Sequence, residues 1–314
     1  VTFKNKSGEN LDSDFKLRSI FCRAWGLCFG KADKATILAH AKKLAGSRKR
    51  LRLHLWERDR YLSGEEPLSY KRNEWANKAA EEFRTECGAD FSTIFEEYSL
   101  AQDGDQVLDI IVTEENELWY GMHHHSLGHS PRPGGLYNLT APKESPSRAW
   151  YKIEEFLLWS EFPLRKGDVA IEVGSAPGGV SYALLQRGLR VSGVDPAEMN
   201  PVALNHPLFR QVKKPVEHVF KEHLPDKAQW ILLDMNIGPA LALTEIKRLV
   251  DYYPADLLGV VLTLKLHNWK LAIDIPEMIK EIQNMGMSRV RAVQLPANRQ
   301  EIMVGGLTRL GLAK

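Results

Sequence analysis

The chain has 314 residues, 44% of them hydrophobic and 26% charged, which suits a globular protein of two domains, or three small ones, and excludes a disordered or fibrous one. No apolar run approaches the ~18 residues that span a bilayer, and Val1 to Asn10 is polar rather than signal-like, so a cytoplasmic protein without membrane association is expected. The net charge of +2 conceals a division: residues 1–85 carry 19 Lys and Arg against 11 Asp and Glu, whereas residues 86–314 carry 23 against 29.

A basic module ahead of a mildly acidic one is the pattern of a nucleic-acid-docking region joined to a catalytic domain, because phosphate neutralisation dominates such affinity. An ordinary solvated surface gives the same counts. Cys22, Cys28 and Cys87 lack the Cys-x-x-Cys spacing of zinc sites and are expected to be reduced structural thiols. Because the sequence starts at Val1 rather than Met, a longer natural N-terminus or a removed tag is expected.

In chain order, Phe15 to Leu27 mixes apolar and polar positions like a strand, Lys34 to Leu44 has helical spacing, and Leu51 to Trp56 alternates again, giving β-α-β. The cations Arg48, Lys49, Arg50 and Arg52 enter that last strand, where they either grip a phosphate backbone, the reading we favour, or keep an edge strand soluble. Asn73 to Thr85 is expected to be a charged amphipathic helix with Trp75, Ala79 and Phe83 on one face. An apolar segment, Phe91 to Tyr98, precedes strands at Gln106 to Val112 and Leu118 to His123. Adjacent residues of a strand point to opposite faces, so His123, His124 and His125 cannot converge on one ion; they are expected to be polar loop-end residues, and no metal site is expected. The turn-forming stretch Gly128 to Pro146 marks the main boundary. Three regions result: a basic α+β region at 1–85, a remainder with a Pro-rich linker at 86–145, and a catalytic domain at 146–314.

From Ser147 the pattern changes to helices alternating with short, strongly apolar runs, the signature of a mostly parallel, doubly wound α/β sheet of Rossmann type. Helices are expected at Ala149–Glu161, Gly179–Gln186, Leu241–Tyr252 and Ile275–Met285. Strands are expected at Asp168–Val173, Arg190–Val194, Trp230–Leu233, Leu257–Leu264, Arg289–Gln294 and Ile302–Gly306. Ligands of such folds gather beyond the C-terminal ends of the strands, and Glu172, Asp195, Asp234 and Lys265 stand at or near such ends.

The segment Glu172-Val-Gly-Ser-Ala-Pro-Gly-Gly179 joins a strand to a helix through glycines that permit a sharp turn and a close backbone approach to a ligand. The helix amides would offer partial positive charge to a carboxylate, and Asp195 would accept hydrogen bonds from ribose hydroxyls. The spacing matches neither the Gly-x-Gly-x-x-Gly of a nicotinamide site nor the Gly-Lys-Ser/Thr of a phosphate-binding loop.

Ser147-Arg-Ala-Trp-Tyr-Lys152, the Ala-Pro-Gly-Gly loop, Asp234, Lys265 and Glu301 follow one another along the chain. Together they resemble the FtsJ/RrmJ group of RNA ribose 2′-O-methyltransferases, over residues 145 to 306. The order of regions, with the strand Leu51-Arg-Leu-His-Leu-Trp-Glu-Arg58 and the Pro-rich arm, resembles the RlmM branch, in which ferredoxin-like and THUMP RNA-binding regions precede the methyltransferase. The resemblance implies S-adenosyl-L-methionine as cofactor, held by Ser147, Gly174, Ser175, Ala176, Pro177, Gly178, Gly179, Asp195 and Asp234. It implies a catalytic set Lys152, Asp234, Lys265 and Glu301 with Lys265 as proton acceptor. The implied substrate is structured RNA, a cytidine ribose of 23S large-subunit ribosomal RNA, with no obligate protein partner.

The residue types make chemical sense without the family. A ribose hydroxyl is a poor nucleophile at neutral pH and needs a positioned base. A lysine serves if burial and a neighbouring cation, here Lys152, depress the pKa of Lys265. Asp234 would orient that amine or hold the donor's methyl end, and Glu301 would pair with Lys152. Two other readings stay open: a methyltransferase with a base or small-molecule acceptor, and an inactive RNA-binding protein. The family's adenine-contacting acid falls in Val212-Lys-Lys-Pro-Val-Glu-His218, where Glu217 is the candidate, and the Asn298-Arg-Gln300 stretch leaves room for the Glu301 assignment to shift by a turn.

Overall fold

The computed structural model describes residues 19–45, 50–58, 74–96, 100–113, 117–126, 129–137 and 139–314. They form two compact units, and the chain passes from the first to the second after Tyr137.

In the first unit, β1 (Leu27–Lys31), α1 (Lys34–Ala45), β2 (Arg52–Glu57), α2 (Glu74–Cys87), the single turn α3 (Phe91–Ile94), β3 (Gln106–Val112) and β4 (Leu118–His124) follow in order. The strands make one sheet in the order β1-β4-β3-β2, so residues on both sides of position 85 share it, and β2, parallel to β3, is an edge strand. Helix α1 turns Ile37, Ala41 and Ala45, spaced four apart, onto Leu55, Leu108 and Ile110 of the sheet, and α2 adds Phe83. The expected strand at Phe15–Leu27 is not found over its described part, residues 19–26; β1 starts at Leu27, and Phe15 to Arg18 lie outside the described residues. Within Phe91–Tyr98, Phe91–Ile94 is helical because Phe91 and Ile94 both pack inward at helical spacing, and only Phe95 bridges to Leu51. Trp75's side chain lies outside the described residues; Phe83 is buried and Ala79 half-buried, on one face as expected.

One expectation is reversed. His123 and His125 are not polar loop-end residues: they are 3% and 6% exposed. Two residues apart along one strand direction, they share the sheet face that His124 leaves, and the chain returns to set His129, 7% exposed, beside them.

In the second unit, α4 (Ala149–Ser160), β5 (Val169–Val173), α5 (Gly179–Gln186), β6 (Arg190–Val194), the turn α6 (Pro201–Leu204), β7 (Phe209–Val212), β8 (Trp230–Leu233), α7 (Pro239–Val250), β9 (Gly259–Lys265), α8 (Ile275–Asn284), β10 (Arg289–Val293), β11 (Glu301–Leu307) and the turn α9 (Arg309–Leu312) follow one another. The seven-stranded sheet runs β10-β11-β9-β8-β5-β6-β7, parallel except for β11, which is antiparallel to both neighbours. The mixed α/β fold expected from the sequence is thus found. Its strands are near-continuous apolar runs because both faces are covered: every residue of β8 is buried, as are the first six of β9. From β5 the chain builds outward to β6 and β7 on one side, then crosses to β8 and β9 on the other. The order therefore reverses between β5 and β8, where open α/β sheets leave a crevice beyond the strand ends.

Candidate active site

At that reversal, β5 delivers the loop Gly174–Gly178 into α5. Gly174 (φ +80°) and Gly178 (φ +116°) adopt backbone conformations that L side chains rarely enter. Their surroundings are the protein's own. A Cβ on Gly174 would meet the Asp234 carbonyl oxygen at 2.7 Å, one on Gly178 the Ala203 Cβ at 2.9 Å, and one on Gly179 would collide with Ser147 Oγ. Gly178 and Gly179 are buried by this packing, and Ser175 is buried with its hydroxyl 3.5 Å from the Met199 sulfur. Gly174 and Ala176, half-buried, and exposed Pro177 form the loop's open side. Ser147 is a buttress behind the loop, its Oγ accepting from the Ala149 amide at 3.3 Å. Asp195, half-buried just past β6, braces the loop as well, accepting from the Ala176 amide at 3.0 Å and the Ala197 amide at 2.8 Å.

Beneath the loop lies Glu172, 1% exposed, with its carboxyl accepting from the Ser181 hydroxyl. Burial pushes this acid well above the usual carboxylate range, and the Asp234 and Asp195 charges push it the same way, against the Ser181 hydrogen bond.

The four chemistry-bearing side chains arrive from four elements. Lys152 comes from α4, Asp234 from the end of β8, Lys265 is the last residue of β9 and Glu301 the first of β11, where antiparallel pairing sets Glu301 opposite Lys265. Their charges alternate around a closed ring. Lys152 Nζ lies 3.1 Å from Asp234 Oδ2 and 2.8 Å from Glu301 Oε1. Lys265 Nζ lies 2.8 Å from Asp234 Oδ1 and 2.5 Å from Glu301 Oε2. None of the four side chains is more than 16% exposed. Glu301 itself, not a residue one turn away, closes the ring, and Asn298, unassigned from the sequence, reaches its Oε1 with its side-chain amide at 3.4 Å. Each acid touches both lysines, where the sequence paired Glu301 with Lys152 alone.

The electrostatics differ from expectation in sign. Burial disfavours a charged Lys265, but Asp234 and Glu301 outweigh it and hold the amine above its ordinary value. Burial likewise disfavours a charged Glu301, and Lys152 and Lys265 outweigh it, keeping its carboxyl below the usual range. The neighbouring cation invoked to depress Lys265 is neutralised by the same two carboxylates.

Of the basic cluster in the first unit, Arg48 and Lys49 lie outside the described residues. Arg50 is exposed, with Nη1 donating to the Ser92 carbonyl at 3.3 Å, while Arg52 is 15% exposed and its guanidinium is engaged by Asp105 at 2.9 Å. Arg50 also has an acidic partner, its Nε 3.5 Å from Glu96 Oε1, so both described cations of the cluster are internally paired. Glu217 is exposed in a short turn after β7.

Residues 146–273 match the family model described as FtsJ-like methyltransferase. That stretch is an FtsJ-like methyltransferase domain. It contains the glycine loop, Lys152, Asp234 and Lys265, while Glu301 lies beyond it. The chain is 34% identical over 120 residues to the ribosomal RNA large subunit methyltransferase M of Xylella fastidiosa, covering 36% of this chain and 33% of that protein. To the protein of the same name from Actinobacillus succinogenes it is 28% identical over 200 residues, 60% of this chain and 54% of the relative. The chain thus spans between a third and about half the length of these two relatives. Among solved structures, a putative hemolysin from Lactococcus lactis superposes with a TM-score of 0.45 at 17% identity, over 54% of this chain and 91% of that one. FtsJ-like domains are S-adenosylmethionine-dependent methyltransferases. Among the described residues no helix is long and apolar enough to cross a membrane.

Proposed function

We propose that the chain transfers a methyl group from S-adenosyl-L-methionine to a ribose 2′-hydroxyl of structured RNA, with 23S large-subunit ribosomal RNA as substrate and a cytidine as the nucleotide. The observation that carries this reading is the closed ring of Lys152, Asp234, Lys265 and Glu301 at the strand ends next to the glycine loop. The names of the relatives supply the RNA class, and the resemblance read from the sequence supplies the cytidine.

The residues present fit the cofactor. Gly174, Ala176 and Pro177 give an open backbone edge, Ser147, Ser175, Gly178 and Gly179 hold that edge rigid, and Asp195 offers a carboxylate for ribose hydroxyls. When bound, S-adenosyl-L-methionine supplies an electrophilic methyl group on a sulfonium centre. The chain's own residues supply the rest. An ammonium has three hydrogens, and two of those on Lys265 point to Asp234 and Glu301. The third is the one free to leave, so the lone pair it vacates is aimed away from both carboxylates, toward an incoming hydroxyl. With Lys265 neutral, two carboxylates face only Lys152, and accepting the hydroxyl's proton restores the balance of the ring. A raised pKa therefore makes Lys265 a stronger base that is less often ready at neutral pH.

The test is transfer of labelled methyl to ribosomal RNA by the full chain, followed by nucleoside analysis. Label on a ribose oxygen, with a loss of about 10²-fold or more in Lys265→Ala, is expected for a positioned base. Equal labelling by the variant removes Lys265 from its role, and label on a base nitrogen or carbon overturns the ribose reading.

A further inference from the structure

The first unit holds a second concentration of chemistry, unrelated to the methyl-transfer site. His54 on β2, Asp109 on β3, His123 on β4 and His125 and His129 after it are all buried, between 3% and 8% exposed. His123 stacks on His129 with ring centroids 4.3 Å apart and planes 18° apart, and Trp25 stacks on His129 at 4.2 Å. His125 lies 5.7 Å from each of the other two rings.

Hydrogen bonding then fixes which nitrogens are left over. His123 Nδ1 lies 2.6 Å from Asp109 Oδ2, and His129 Nδ1 lies 3.2 Å from the Ser126 hydroxyl. The remaining atoms, His123 Nε2 and His129 Nε2, together with His125 Nδ1, are buried with no hydrogen-bond partner. Native proteins rarely leave even one such group unmet, and here three histidines of one cluster each have one. One ligand atom from each of His123, His125 and His129 lies within 4.8 Å of the others.

We propose that His123, His125 and His129 bind a divalent transition-metal ion, zinc by preference, that ties the end of β4 to the chain that follows it. Three imidazole nitrogens suit zinc, which takes nitrogen ligands at about 2.0 Å in a tetrahedral arrangement and leaves a fourth position for water. Tetrahedral donors at that distance stand about 3.3 Å apart, so ion binding turns the His129 ring out of its stack on His123 to bring both lone pairs onto one centre. With the Asp109 carboxyl ionised, His123 Nδ1 donates to it and Nε2 is left as the ligand atom, the supporting arrangement common behind metal-bound histidines; burial raises that acid to about 8 in the metal-free protein, so ion binding releases its proton. Burial depresses His123 and His125 to about 4 and His129 to about 3, so all three rings are neutral ligands at neutral pH.

The test uses the full chain, stripped with chelator, reloaded with zinc and passed through a desalting column. One zinc per chain is expected to remain, with X-ray absorption showing three histidine nitrogens at about 2.0 Å. Loss of that zinc in His129→Gln, with an unchanged circular dichroism spectrum, supports the site. Should that variant misfold, cobalt loading of the native chain decides: tetrahedral visible bands support the proposal, and octahedral or absent ones overturn it. Retention of no zinc by the native chain, or equal retention by a folded His125→Gln/His129→Gln variant, also overturns it.

Discussion

Glu301→Gln removes one charge from the ring while keeping its shape, and the structure sets the cost. Two ammonium groups, 2.8 Å and 2.5 Å from the Glu301 oxygens, would share the single carboxylate of Asp234. Glu301 is 5% exposed at its side chain and the lysines 16% and 15%, so solvent screens little of the excess positive charge. Breaking a buried pair by deleting one partner costs about 3–5 kcal/mol. With partial exposure of the amines, about 3 kcal/mol is expected, or roughly 6–12 °C in the melting of a unit of this size. The pH dependence has a definite sign. Glu301 is held below its ordinary pKa, so its contribution is present above about pH 4.5 and fades as pH falls through its folded value. Lys265 is held above its own, so its contribution is full below about pH 10.5 and is lost only at higher pH. The difference between wild type and variant should therefore be flat near neutrality and shrink in acid. Thermal melts followed by circular dichroism at pH 4 and pH 7 measure it. Adding Lys152→Met should recover part of the loss by restoring neutrality. A shift below about 1 °C at pH 7, or a loss that the second substitution deepens, would refute the ring as a coupled unit.

Other consequences are equally open to measurement. The kcat/KM for methyl transfer should climb with pH, about tenfold per unit between about pH 7 and 9, because the free enzyme holds Lys265 protonated; a plateau below about pH 8 would exclude it as the base. Gly179→Ala drives a methyl into Ser147 Oγ and to 3.0 Å from the Trp150 amide nitrogen, so overpacking of about 1–3 kcal/mol and at least tenfold weaker S-adenosyl-L-methionine binding by calorimetry are expected; unchanged binding would mean the loop shifts without consequence. Glu172 is raised by burial, so its folded form holds a proton that the unfolded chain releases above about pH 4.5, and stability falls as pH rises toward its folded value. Glu172→Gln removes that slope and should melt higher than wild type at pH 8; an unchanged slope would show that Glu172 is ionised.

The second unit was legible because its strands carry their own signature. Short apolar runs such as Trp230–Leu233, alternating with helical patterns, mark strands covered on both faces, and ligands of such sheets gather beyond the strand ends. Asp195, Asp234 and Lys265 could be picked out on that basis alone. What the sequence could not contain was pairing across the sheet. Glu301 meets Lys265 because β11 runs antiparallel beside β9, 36 residues along the chain, and without that register the sign of the Lys265 shift was read backwards. The histidine cluster was missed for the same reason. Sequence showed three adjacent histidines and rightly separated His124 from its neighbours, but the grouping of His123 with His125, His129, His54 and Asp109 needs three strands in register. The sequence marks Phe91–Tyr98 only as apolar: four residues with apolar ends, Phe91–Ile94, satisfy a helical turn as well as a strand, and packing into the cluster that holds Phe83 and Leu51 decides.

The place of β11 has a consequence for the order of synthesis. A ribosome makes the glycine loop, Lys152, Asp234 and Lys265 well before Glu301, and the strand that carries Glu301 ends at Leu307. Until that strand inserts between β9 and β10, two lysines face one carboxylate and the sheet ends on β9. A nascent chain can hold its glycine loop in shape while the ring of four charged side chains stands open, so the ring closes only when β11 arrives.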